Sequence, residues 1–150
     1  MAALDEISLK IPARAEYVGV VRLAVSGVAA RMNFSIEEIE DIKVSISEAC
    51  TNAIQHAYND NADQNIIDIK MTIDNDELSI VVQDFGQGFD LSTLGTTEQK
   101  HKSKKKLGLG LGLTFIESLM DDTHFQSKIG EGTTIQMKKQ SPNLTLSSVS

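Results

Sequence analysis

From Ser35 to about Tyr58 the chain carries one long amphipathic helix, and its two stripes decide what the rest must be. Ser35 and Glu38 form the S-x-x-E capping-box pattern that opens a helix. Behind it Ile39, Ile42, Ile46, Ala49, Cys50, Ala53 and Ala57 recur at helical spacing, an apolar stripe that needs a second layer to cover it. Beside that stripe, and not opposite it, run Glu48, Asn52 and His56 at strict four-residue spacing, so they share a face. A polar row so close to a core is either a solvated flank or a set of groups aimed into a site.

The covering layer is legible as strands. "ISLKIPA" (Ile7 to Ala13) alternates and closes on Pro12. Ile67, Ile69, Met71 and Ile73 share one strand face; after a turn at "DND", so do Leu78, Ile80 and Val82. Asp84 falls on that same inward face, where a carboxylate is costly without a partner. "HFQSKI" and "TTIQMKK" form a hairpin through "GEG". Val18, Val21, Val25 and Val28 stripe a further helix, and Leu109 to Met120 reads as a helix starting within glycines. "NDNADQN" is a polar loop, and Asp90 to Lys106 a long one of the kind that is more often functional than idle. Sequential strands with grouped helices predict an α+β two-layer sandwich, the helices on one face of a mixed, mostly antiparallel sheet. Residues 1–139 are expected to form one domain and 140–150 a flexible tail.

Composition narrows the function. A net charge of −7 argues against direct nucleic-acid binding, which needs a basic footprint. No apolar run is long enough to span a bilayer, and Met1 to Lys10 lacks a signal-peptide core. The single cysteine, Cys50, reads as a buried reduced thiol in a cytoplasmic protein. Five of the 14 basic residues crowd into "KHKSKKK", at Lys100, Lys102, Lys104, Lys105 and Lys106, directly before a glycine run.

Three motifs carry chemistry, and each alone has an ordinary reading. "DFGQGFD" (Asp84 to Asp90) could be a plain strand-ending turn, yet Asp84 can accept a hydrogen bond from an exocyclic amine while Gly86 and Gly88 let a ligand approach the backbone. "GLGLGL", with Gly108, Gly110 and Gly112, could be a loose helix entry or a phosphate site made of bare N–H groups. It is neither a Walker A loop nor a Rossmann fingerprint. In the polar helix row, Asn52 offers a neutral oxygen to Mg²⁺, and Glu48, one turn earlier, is placed to take a proton. The three in this order across one small domain are specific where each singly is not.

The ordered trio resembles the GHKL (Bergerat-fold) ATPase family: "EACTNAIQHA" is similar to its N-box, "DFGQG" to its first glycine box and "GLGLGL" to its second. Within that family, "PARAEYVGVVRLAVSGVAARM", "IEDIKVSISEACTNAIQHAY" and "IESLMDD" resemble the bacterial anti-sigma-factor serine kinases, from about Ile7 to Lys138. The resemblance implies a serine protein kinase that sequesters a general-stress sigma factor and uses ATP and Mg²⁺ to phosphorylate the anti-anti-sigma antagonist. It implies Glu48 as general base, Asn52 on Mg²⁺ and the phosphates, and Asp84 on the adenine amine with Gly86 and Gly88 shaping that wall. Gly108, Gly110 and Gly112 would cradle phosphates under a lid formed by residues 90–106, with Lys106 and Thr133 completing the nucleotide contacts. Arg22 would reach a partner, and the chain would be a homodimer. Related kinases place an arginine just before the second glycine box; here lysines stand upstream of it, point charges without arginine's planar fork. Two rivals stay in view. The ATP-binding domain of a histidine kinase needs a phosphoacceptor segment for which 150 residues leave no room. A catalytically silent sigma-binding module has no use for Glu48 and Asn52 together.

Overall fold

The computed structural model describes residues 4–57, 65–88 and 104–142, with residues 56, 57 and 104–111 described by their backbone alone. Five strands, β1 (Asp5–Pro12), β2 (Ile66–Asp74), β3 (Glu77–Asp84), β4 (Asp122–Lys128) and β5 (Gly132–Gln140), form one sheet in the order β1-β2-β3-β5-β4. All four ladders are antiparallel, so the predominance of antiparallel pairing expected from the sequence is complete among the described residues. The chain leaves the sheet after β3, returns as the β4–β5 hairpin, and that hairpin lays β5 against β3.

Period-two alternation gives the sheet one apolar face. Ile67, Ile69 and Met71 of β2, Leu78, Ile80 and Val82 of β3, and Ile135 and Met137 of β5 are all buried on it. Each buried aliphatic side chain contributes roughly 1.5–3 kcal/mol. The inward positions match those read from the sequence, Asp84 included.

Among the described residues three helices cover this face, with α2 (Ile36–Asn52) packed between α1 (Val18–Arg31) and α3 (Lys104–Leu119). A short 3₁₀ turn, Ala15–Tyr17, leads from β1 into α1. Val21, Val25 and Val28 of α1 are buried as their spacing predicts, and Arg22 is left exposed. At the start of α2 both halves of the capping box form: the Glu38 N–H donates to Ser35 Oγ at 3.1 Å, and the Ser35 N–H to Glu38 Oε1 at 2.9 Å. Ile42, Ile46, Ala49, Cys50 and Ala53 are buried along its length. Burial pushes the Cys50 thiol up to about 12, so it stays protonated and unreactive.

Two helix ends differ from the sequence reading. α2 keeps α geometry only to Asn52 and then widens into a π turn, Ala53–Ala57. The other difference bears on the site. α3 begins at Lys104, within the lysine run, and the glycines lie inside it. Lysine is a good helix former, and one start residue costs less than an interrupted helix. Gly108, Gly110 and Gly112 therefore lie inside helical backbone and not at its first described residue.

The other end of α3 is closed by a residue the sequence reading passed over. Lys139, facing inward on β5 and only 8% exposed, donates its Nζ to the Leu119 carbonyl at 2.7 Å and lies 4.0 Å from Asp121. A cation on unpaired terminal carbonyls is the favoured chemistry there. Gln140, expected to open the tail, is the last residue of β5, and the Ser141 N–H donates to the Asp76 carbonyl at 2.7 Å. Residues 143–150 of the expected tail, 59–64 of the polar loop and 90–103 of the expected lid lie outside the described residues.

Candidate nucleotide and phosphoryl-transfer site

The inward face of β3 runs Leu78, Ile80, Val82 and then Asp84, so register alone delivers a carboxylate to the edge of the core. Asp84 is 3% exposed and lies opposite Ile67 on one side and Thr133 on the other. Its Oδ1 accepts two backbone hydrogen bonds, from the Gly86 N–H at 3.0 Å and the Thr133 N–H at 3.2 Å. Desolvation by burial raises the Asp84 pKa, and those two bonds only partly oppose it. Its second oxygen has no hydrogen bond among the described residues. Such a group is built to receive a donor, and an exocyclic amine fits.

Glycines hold this corner. Gly88 and Gly132 have φ of +66° and +90°, a region that side-chain-bearing residues rarely adopt. A Cβ on Gly88 would run into the Lys128 carbonyl, and one on Gly132 into the Asp84 carbonyl. The close approach that Gly88 permits is therefore that of the β4–β5 hairpin, which docks on the "DFGQG" turn through a Gly130 N–H to Gln87 carbonyl bond of 2.6 Å. Gly132 was read from sequence only as part of a hairpin turn. Its contact with Asp84 joins residues 48 positions apart in the chain, and only its place in "GEG" signalled a special backbone.

The polar row on α2 is constructed differently. Asn52 is buried at 7% exposure and Glu48 is partly buried, yet neither side chain has a hydrogen bond or ion pair among the described residues. The π turn after Asn52 packs on β3 and β5, the strands that carry Asp84 and Thr133. That contact brings the row's end and the Asp84 corner to one end of the sheet. Glu48 instead reaches α3, where its carboxylate lies against Gly112. The side chains of His56 and Lys106 lie outside the description, and Gly108 and Gly110 are placed only by the backbone of α3.

Among the described residues no cluster of three His, Cys, Asp or Glu could hold a metal unaided. An asparagine oxygen with no hydrogen bond among the described residues suits Mg²⁺, which is commonly held by one or two protein groups together with substrate phosphates. A cavity of about 520 Å³ at the opposite end of the sheet, lined by Asp5, Val28, Arg31, Ile73, Asp76 and Ser141, gathers none of the motif residues.

Comparison with known proteins agrees with the fold. Residues 11–139 match the histidine kinase-like ATPase domain family. The chain is 42% identical to the serine-protein kinase RsbW of Bacillus licheniformis over 141 residues, covering 91% of this chain and 86% of that protein. It is 46% identical to RsbW of Oceanobacillus iheyensis, covering 87% and 84%. Among solved structures, the RsbU and RsbW domains of a Mycobacterium tuberculosis protein superpose with a TM-score of 0.67 at 20% identity, covering 91% of this chain and 32% of that one. The chain belongs to the histidine kinase-like ATPase family, in its branch of RsbW-type anti-sigma serine-protein kinases, and it is an ATP-dependent protein-serine kinase. No described helix is long and apolar enough to cross a membrane.

Proposed function

We propose that the chain binds ATP with the adenine amine on Asp84, and that the observation carrying this is the buried Asp84 carboxylate, anchored through one oxygen and open through the other. Gly86 and Gly88 shape that wall, and Thr133 fixes its anchor through its backbone N–H. Asn52 would hold Mg²⁺, which when bound neutralises charge on the phosphates. The first half of α3, with Gly108 and Gly110, meets the phosphates; Lys106 supplies positive charge there, and residues 90–106 cover the nucleotide. Glu48 takes the proton of the substrate serine as its oxygen attacks the γ-phosphorus and the bond to the ADP oxygen breaks.

In the cytoplasm the chain holds a general-stress sigma factor, with Arg22 on the exposed side of α1 at the contact, and works as a homodimer. Phosphorylating a serine of the anti-anti-sigma protein keeps that antagonist from displacing sigma. A histidine-kinase role has less support, since identity to RsbW kinases exceeds 40% while a solved histidine kinase domain of Erythrobacter litoralis is 20% identical. The test is to co-purify partners from the native cell, then follow radiolabel from ATP to the captured antagonist. Label on serine in the wild type, lost with Mg²⁺-dependent ATP binding in Asn52→Ala, is expected. A wild-type chain that binds no ATP by calorimetry contradicts the reading.

A further inference from the structure

Gly112 has no backbone reason to be glycine. It lies within α3 in ordinary helical conformation, where alanine is the better helix former. In α1, Gly19 and Gly27 have nothing within 4 Å of where a Cβ would sit. Gly112 differs from both: a Cβ there would lie 3.1 Å from Glu48 Oε2, with no other atom within 4 Å among the described residues beyond its own helical turn. The contact sits where α2 and α3 pack against each other. Glu48 has no polar partner among the described residues, so this helix surface is what bounds its carboxylate.

We propose that Gly112 is a positioning residue for Glu48: its missing side chain leaves the space in which the carboxylate waits for the serine hydroxyl. This rests on the reading of Glu48 as general base, and it gives Gly112 a role apart from a phosphate cradle. An added methyl would push the carboxylate by a few tenths of an ångström, because an ordinary carbon–oxygen contact begins near 3.4 Å. A misplacement of about 1 Å can cost about 100-fold, and a few tenths correspondingly less. Gly112→Ala should therefore lower kcat by roughly 3- to 5-fold, while α3 becomes a better helix and the melting temperature rises. The displaced group is a flexible carboxylate, so the variant is expected to fold.

Four proteins decide it: wild type, Gly112→Ala, Glu48→Gln and the double variant, each measured for kcat, KM for ATP and thermal unfolding. The expected result is a lower kcat and an unchanged KM in Gly112→Ala, with no further loss when it is added to Glu48→Gln. If Glu48→Gln is impaired but Gly112→Ala has wild-type kcat, the positioning role is wrong and the base assignment stands. If Gly112→Ala raises KM, or lowers kcat equally in both backgrounds, Gly112 serves the phosphates instead. If Glu48→Gln turns over at the wild-type rate, the base reading falls and the positioning role falls with it.

Discussion

The Asp84 corner and the polar row of α2 lie at the same end of the sheet and are held in opposite ways. Asp84 is fixed by two backbone N–H groups and by glycines at positive φ whose missing Cβ atoms make room for neighbouring carbonyls. Glu48 and Asn52 are placed by the helix alone, with no polar partner among the described residues. Recognition of an invariant group such as adenine gains from a rigid acceptor prepared in advance. Groups that must meet a metal, a phosphate and a moving hydroxyl are left open for them. The two regions should accordingly fail differently when altered.

The largest expected effect is at Gly132. Alanine there must adopt φ near +90° and push its Cβ into the Asp84 carbonyl, so both strain and backbone clash apply. A forced left-handed residue alone costs about 1–2 kcal/mol. Gly132→Ala should disorder the β3–β5 end and abolish ATP binding, seen by calorimetry and by a lowered melting temperature. Unchanged binding would show that the corner is not the rigid element.

Asp84→Asn comes next and should act in two directions. Losing a charged acceptor should weaken ATP binding by roughly 1.5–3 kcal/mol, or about 10- to 150-fold. Stability should move the other way. The folded-state pKa of Asp84 is raised, so the folded chain binds this proton more tightly than the unfolded one. The group therefore favours folding at acid pH, and that contribution is lost as pH rises from the ordinary value of 3.8 through the folded pKa. Without nucleotide, Asp84→Asn should be more stable than wild type at neutral pH, with the gap closing as pH falls toward 3.8. Thermal melts across pH read this directly.

The smallest effect is at the far end of α2. Ser35→Ala removes a formed capping box and should cost about 1 kcal/mol of stability. Transfer per folded molecule should be unchanged, since the row is set by the helix and not by its cap.

How much of this the sequence foretold follows the same division. Elements set by local periodicity were legible: the inward strand residues, the stripe of α2, the capping box and the spacing of Glu48 and Asn52. Asp84 was legible as an inward carboxylate because period two extends one step past Val82. What holds Asp84 was hidden. The Thr133 N–H and Gly132 reach it from the other side of the β3–β5 ladder, a contact no local pattern encodes. The start of α3 was misplaced because glycines look like a helix boundary, whereas the lysines before them carry the helix further back. Lys139 looked like the outer end of a strand, and only the fold brings the end of α3 over it.

The separation of recognition from chemistry is tested most directly by Glu48→Gln, measured for Mg²⁺·ATP affinity by calorimetry and for radiolabel transfer to the purified antagonist. Affinity should stay within about twofold of wild type, since Glu48 does not hold the nucleotide. Transfer should fall by roughly 10²- to 10⁴-fold, the usual effect of removing a positioned general base. Transfer at the wild-type rate, or a loss of affinity matching the loss of transfer, would contradict it.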